Sequence, residues 1–492
     1  MATRRLAGAF VAAAALAAPL ARAATQGEVN AFLGGLTGKL VFVDKSETKA
    51  YWMNMANIAG GATKISDDTG VCSPLISPDG TYIAYDTYPS TLSYLQAISG
   101  GARKMLTANP AFAPHWYHDG SNLNVITCSM TDPTMPGGPG YTQIQQVDSS
   151  YNPSGTPAMF WSSRAMDAGI TPDGKWLGEA YKYSYCVDLS TNRTYDWSWY
   201  QTWNNLNQRY EQGQTCNGSM SADRDRNWRM MTLKIPHTHI CVWRFDQARN
   251  RWTLSKEFPI PDSNPEWQHP EWSNHPDFAV AITSPNGMFN GPIYLVNTHT
   301  GATLQVLDSD CQYPCLWLQA SSPYILCQPG DLVFAAIEGG ASPDPVTVHV
   351  TNWGPGTLSN ISASISYDSG SGWLAATPGG SGNSQTLQVT ANAGGLAAET
   401  YTATIALTST GASNSPRSLP VRFEVLVGSE DTDGDGHTNE AEISVGSDPL
   451  DKYIYPSSDE GGGGCAAGGS AGPLASAWLA FALAGFAARR RS

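Results

Sequence analysis

Ser77-Pro78-Asp79-Gly80, followed by Thr81-Tyr82-Ile83-Ala84-Tyr85, is the stretch whose reading decides the fold. Proline fixes φ at the first corner of a tight turn, glycine takes the backbone conformation that other residues avoid, and the residues after it are strand formers, so the stretch reads as a hairpin. It recurs as Thr171-Pro172-Asp173-Gly174 before Lys175-Trp176-Leu177. Weaker copies fall at Tyr117-His118-Asp119-Gly120, Ser221-Ala222-Asp223 and Ser273-Asn274-His275-Pro276-Asp277, with a spacing of about 40 to 55 residues. Between copies lie strands ending in turn residues, such as Ala97-Ile98-Ser99-Gly100-Gly101 and Ile293-Tyr294-Leu295-Val296-Asn297 before Thr298-His299-Thr300-Gly301. Four strands in a period of this length make a propeller blade, so the pattern predicts an all-β fold whose β-propeller of five to seven blades spans residues 36–320. An open β-sandwich is the alternative arrangement.

These turns resemble those of the TolB-like β-propellers, whose hallmark is Ser-Pro-Asp-Gly between two strands of a blade. Aligning the copies on the turn yields a second expectation, independent of the resemblance. Four residues before each copy stand Ser73, Ala113, Asp167, Asn217 and His269, and one position earlier Cys72, Phe112, Met166, Cys216 and Gln268. Repeats place equivalent positions on one face, so the first set forms a ring near one mouth of the central channel. Either the mouth is merely polar and water-filled, or Ser73, Asp167, Asn217, Gln268 and His269, with Trp272, bind a ligand there.

Chemical side chains are densest from Glu266 through Gln268, His269, Glu271 and His275 to Asp277. His115, His118 and the His237-x-His239 pair add imidazoles, and a pair spaced by two on a strand points to one face, which suits a divalent metal. Some propeller lyases acting on acidic polysaccharides hold manganese with histidines from several blades; the composition is loosely similar, but the spacing carries no residue over. A polysaccharide-degrading lyase or hydrolase would use His269 as base with Asp167 or Glu271 assisting. Other signatures are missing from the sequence: there is no His-Glu-x-x-His and no phosphate loop. The single Gly-x-Ser-x-Gly, around Ser470, lies in a low-complexity tail that cannot form a nucleophile elbow.

A net charge of −14, with only 14% charged residues, argues against nucleic acid as a partner. Arg4 and Arg5 precede an apolar run ending in Ala21-Arg22-Ala23, which reads as a cleaved export signal over residues 1–23. Apart from Cys465, eight cysteines remain (Cys72, Cys128, Cys186, Cys216, Cys241, Cys311, Cys315 and Cys327), an even number that predicts disulfides in an oxidising compartment. At the other end, residues 461–492 run from a glycine spacer through Cys465 and an apolar segment to Arg489, Arg490 and Arg491. The order resembles the MYXO-CTERM type of bacterial sorting tail. That resemblance implies a sorting protease acting near Cys465 and display on the cell surface or outer membrane, with the tail as the sole membrane contact; a plain single-span anchor is the alternative.

Residues 323–427 alternate apolar and polar side chains, as in Val346-Thr347-Val348-His349-Val350 and Val421-Arg422-Phe423-Glu424-Val425, which predicts an immunoglobulin-like β-sandwich. Gly372-Trp373-Leu374, Ala391-Asn392-Ala393-Gly394-Gly395 and Thr400-Tyr401-Thr402 resemble the BACON-type modules, which are linked to carbohydrate contact. Within 430–452, Asp431, Asp433 and Asp435, Gly436 at the sharp turn, the His437 carbonyl, Asn439 and Glu442 follow the order of a calcium loop, in which hard oxygens surround a hard cation. The segment resembles thrombospondin type 3-like acidic repeats. The expectation is a surface-anchored propeller that binds an extracellular glycan or surface protein without catalysis. The enzyme reading and a purely structural envelope role are the alternatives.

Overall fold

The computed structural model describes residues 23–450 except 89, 91, 108–110, 130–140, 162–166, 181–183, 197–201, 205–208, 213, 224–227, 235, 247–249 and 286–288. The export signal, Cys465 and the sorting tail therefore lie outside the described residues. No helix among those described is long and apolar enough to cross a membrane.

Among the described residues, six four-stranded antiparallel blades follow one another, each packing on the next and the sixth on the first. Their innermost strands are Val71–Ile76, Ala111–His118, Asp167–Ile170, Gln214–Met220, Glu266–Trp272 and the second half of the long strand Thr303–Gln319. The sixth blade is composite. The far half of Thr303–Gln319 pairs with Thr37–Asp44 near the N-terminus, and Lys49–Asn54 and Ala62–Lys64 complete that blade. Strands from both ends of the propeller chain thus share one sheet, which removes the open edges that an unclosed array would present.

The repeated turns form as their residues dictate. Gly80 N–H donates to the Ser77 carbonyl at 2.9 Å, and the Ser77 hydroxyl donates to Asp79 Oδ1 at 2.7 Å. Thr171, Asp173 and Gly174 repeat both bonds at 2.8 and 2.7 Å. The two glycines have φ of 74° and 70°; Gly80 packs on the ring face of Trp317 and Gly174 against the hydroxyl end of Tyr117, each from the preceding blade. The turn therefore fixes both the hairpin and the seat of one blade on the next.

A β-sandwich follows. One sheet orders Ile325–Gln328, Val346–Asn352, Ser384–Ala391 and Leu374–Ser381; the other orders Leu332–Ile337, Arg417–Leu426, Thr400–Thr408 and Ser362–Tyr367. Burial alternates along Thr400–Thr408, and Tyr401, Ala403, Ile405 and Leu407 enter a core with Trp373, Leu387, Val421 and Phe423. Propeller and sandwich belong to one compact unit through Val425, and Leu426 onward forms a second.

The described cysteines form no disulfide, which corrects the expectation from their even number. Two of the sulfurs meet other groups: Cys186 Sγ lies 3.4 Å from Met230 Sδ, and Cys315 Sγ accepts from Ile76 N–H at 3.4 Å. Burial pushes the Cys72, Cys311 and Cys327 thiols up to about 12, so they behave as small apolar groups.

Candidate functional site

Every innermost strand is bulged. Register slips between Cys72 and Leu75, Phe112 and His115, Asp167 and Gly169, Thr215 and Ser219, and Gln268 and Glu271, and on the sixth blade opposite Val41 and Val43. In four blades the bulge is a residue with positive φ, in each case preceding proline: Ser73 (44°), Ala113 (50°), His269 (47°) and Tyr313 (48°). Proline has no N–H to lose from the ladder, so a bulge at this point costs little pairing. Three of these are positions that the turn alignment expected to share a ring, and Ser73, Ala113, His269 and Tyr313 do line one small pocket of about 50 Å³ with Pro74, Pro270 and Pro314. The pocket is about the size of a few waters.

The ring's side chains have local roles. His269 packs tilted against Tyr313, with ring centroids 4.1 Å apart, its Nε2 is buried with no hydrogen-bond partner among the described residues, and burial pushes its pKa down to about 3. Gln268 is buried and bonds Glu266 at 3.0 Å and the His237 ring at 2.8 Å. Asp167 and Asn217 fall in their innermost strands by backbone, and their side chains lie outside the description. His237 precedes the strand His239–Asp246 with φ of 70°, so the alternation expected to align His237 with His239 does not hold.

Further along the channel the chemistry changes. Glu271 Oε1 accepts from the Ser219 hydroxyl at 2.9 Å, and that hydroxyl accepts from Trp272 N–H at 2.9 Å. His115 is held by the Ala113 carbonyl at 3.0 Å, and burial lowers its pKa to about 4. Gly169 makes room for this ring, since a Cβ there would come 2.4 Å from His115 Cδ2. His115 and Glu271 face both the small pocket and a much larger cavity at the turn-side mouth.

That cavity measures about 600 Å³, inside the range that holds small organic ligands. Trp116, Trp272 and Trp317 of the propeller and Trp353 of the sandwich line it, with Gln328 and Thr351. Three of the indole N–H groups donate to backbone carbonyls: Trp116 to Leu75 at 2.9 Å, Trp272 to Pro276 at 3.0 Å and Trp317 to Pro78 at 2.9 Å. With their polar edges fixed, these rings offer the cavity carbon surface in a set orientation. Asn274 and Asn352 use their amides on backbone groups and hold the walls rather than a guest.

In the second unit, carboxylate oxygens of Asp431, Asp433 and Asp435 gather within 4.8 Å of one another. Glu442 is fully buried with neither carboxylate oxygen hydrogen-bonded, and Asp433 Oδ2 and Asp435 Oδ2 are in the same condition. Burial and the neighbouring acids push Asp433 up to about 6 and Glu442 up to about 7. Buried carboxylate oxygens without donors are a donor set that suits a hard cation. Asn439 closes the loop instead, accepting from Thr432 N–H at 3.2 Å and donating to the Val427 carbonyl at 2.8 Å. His437 N–H donates to Asp435 at 2.7 Å.

The fold defines a six-bladed β-propeller continued by a β-sandwich. No family model matches the chain, and no curated protein does. Among solved structures it is similar to TolB from Acinetobacter baumannii, at 15% identity over 59% of this chain and 70% of that one, with a TM-score of 0.37. It is also similar to the β-propeller domain of Myceliophteria thermophila Cps50 (Swd1), at 12% identity over 55% and 87% of the two chains with a TM-score of 0.34. A chain of a nidogen/laminin complex aligns at 5% identity over 58% and 99%, with a TM-score of 0.38.

Of the residues expected to bind a ligand, Ser73 and His269 line the small pocket and Trp272 lines the larger cavity. A signal for the cavity was present one step along: Trp116 and Trp272 each stand two residues after the bulge proline and just before the turn, and Trp317 stands three residues after Pro314.

Proposed function

We propose that the protein is a surface-anchored, non-catalytic binder of an extracellular ligand, a glycan or a surface protein, and that the ligand enters the turn-side cavity rather than the ring. The observation that carries this reading is the cavity itself, about 600 Å³ walled by four indoles, three of them pinned by backbone carbonyls. Flat carbon surface of this kind stacks on sugar rings or receives an apolar side chain. TolB-like blades and a BACON-type sandwich agree with it as resemblances. Calcium in the Asp431–Glu442 loop, held by Asp431, Asp433, Asp435, the His437 carbonyl and Glu442, would stiffen the segment leading to the tail. Export through residues 1–23 and sorting at Cys465 complete the reading.

Retention on immobilised polysaccharides and on extracted surface protein tests it, with Thr351→Trp filling the cavity. The filled variant should retain at least about tenfold less ligand while melting normally. Undiminished retention by a well-folded Thr351→Trp would move the site elsewhere. Reaction products from any polysaccharide, abolished by His269→Ala, would replace binding with catalysis.

A further inference from the structure

Charge on the walls of the turn-side cavity has one sign. Among the described residues that line it stand one carboxylate, Glu271, and no lysine or arginine. Its two imidazoles add acceptors rather than fixed charge. His118 Nδ1 accepts from Gly120 N–H at 3.1 Å. His115, whose pKa burial lowers, faces the Ala113 carbonyl with Nδ1; a carbonyl cannot donate, so Nδ1 carries the proton and Nε2 the lone pair. Glu271 and His115 line both this cavity and the small pocket behind it, and so mark the neck between the two. In the small pocket, His269 Nε2 is buried with no hydrogen-bond partner among the described residues.

An anionic guest would leave water here without meeting a counter-charge, which is costly. A protonated amine would instead gain the Glu271 carboxylate and the π faces of Trp116, Trp272, Trp317 and Trp353, tryptophan being the ring that attracts cations best. Size decides between amines. The cavity of about 600 Å³ equals the space of about twenty waters at ~30 Å³ each. That is room for a sugar ring or two, whereas a lysine side chain would leave most of it empty. Resting on the reading of this cavity as a ligand site, we infer that the ligand is a glycan bearing unacetylated amino groups, with an ammonium at the Glu271 neck and its sugar ring against the indoles.

Calorimetry of the full chain with glucosamine oligomers and with N-acetylglucosamine oligomers of equal length tests this, at about pH 6, where an amine is protonated. The amine form should bind at least about tenfold more tightly. Glu271→Gln, which keeps an acceptor for the Ser219 hydroxyl, should erase that preference without lowering the melting temperature. With a net charge of −14 the chain also attracts polycations to its surface. Thr351→Trp fills the cavity and keeps that charge, so it should abolish the binding; amine binding that survives it would be surface adhesion and overturn the proposal. Equal binding of the two oligomers, a preference for alginate, or retention of surface protein alone, each lost in Thr351→Trp, would overturn the amino glycan and leave the cavity a binding site. No binding sensitive to Thr351→Trp for any of these ligands would remove the cavity reading itself.

Discussion

At Gly80 two constraints coincide on one atom. Its φ of 74° is left-handed, and a Cβ would come 2.6 Å from Trp317 Cε2, a rigid ring held through its N–H by the Pro78 carbonyl. Gly120, at the corresponding turn of blade 2, has φ of 90° and nothing within 4 Å of the added atom. Gly80→Ala should thus cost about 2–4 kcal/mol and Gly120→Ala about 1–2 kcal/mol, compared by denaturant melts. Equal costs would show that the contact with Trp317 contributes nothing. Thiols give a second residue-scale test. Cys72, Cys186, Cys311, Cys315 and Cys327, whose pKa values burial raises, should resist alkylation in the native chain and react once it is unfolded without reductant. Reaction only after reduction would restore the disulfides expected from the even count. That count misled because parity carries no geometry, whereas the Pro-Asp-Gly turn was legible because each of its residues has one conformational task.

Elements divide in the same way. Five blades announce themselves through a turn, but the sixth lacks that turn and is assembled from strands some 270 residues apart, a pairing that no local pattern encodes. Its one local trace is Tyr313-Pro314, which repeats the bulge of Ser73-Pro74, Ala113-Pro114 and His269-Pro270. The gathering of the Asp431, Asp433 and Asp435 carboxylates follows from their order and spacing, since alternate positions of one short loop meet locally. The hydrogen bonds of Asn439 to Thr432 and Val427 had no such local signal, because they depend on the chain's path into the helix Asn439–Val445. The distinction is measurable. Glu442→Gln should weaken calcium binding at least about tenfold in calorimetry. In chelator it should slow amide exchange across residues 430–442, because it removes a buried carboxylate that has no donor. Asn439→Ala should speed exchange there with or without calcium. If both variants lose calcium affinity alike and neither alters exchange in chelator, Asn439 is a ligand after all.

For the whole molecule, the decisive arrangement is the buried ionic chain that joins sandwich to propeller. Asp277, 1% exposed in the blade 5 turn, accepts from Arg417 Nη2 of the sandwich at 2.7 Å and from His299 Nε2 at 2.9 Å. His299 Nδ1 meets Asp331 at 2.8 Å, and Lys256 of blade 4 meets the same carboxylate at 2.8 Å. Both ring nitrogens of His299 thus face carboxylates. Burial alone would raise the two acids, but Arg417 and His299 at Asp277, and His299 and Lys256 at Asp331, override it and hold both well below the usual carboxylate range. Groups depressed in this way contribute stability that is present above about pH 4 and lost as pH falls toward their folded values. The melting temperature should accordingly drop between about pH 5 and pH 3, and less steeply in Asp277→Asn than in the native chain. Arg417→Met, which leaves Asp277 charged and buried with one partner fewer, should cost about 3–5 kcal/mol at pH 7, and adding Asp277→Asn should return part of that loss. Because Thr351 and Trp353 of the sandwich wall the indole-lined cavity, loosening this joint should also weaken ligand retention without any change to a cavity residue. Retention by Arg417→Met equal to that of the native chain, in a protein whose melting has fallen as expected, would separate the joint from binding and leave the ionic chain a purely structural fastening.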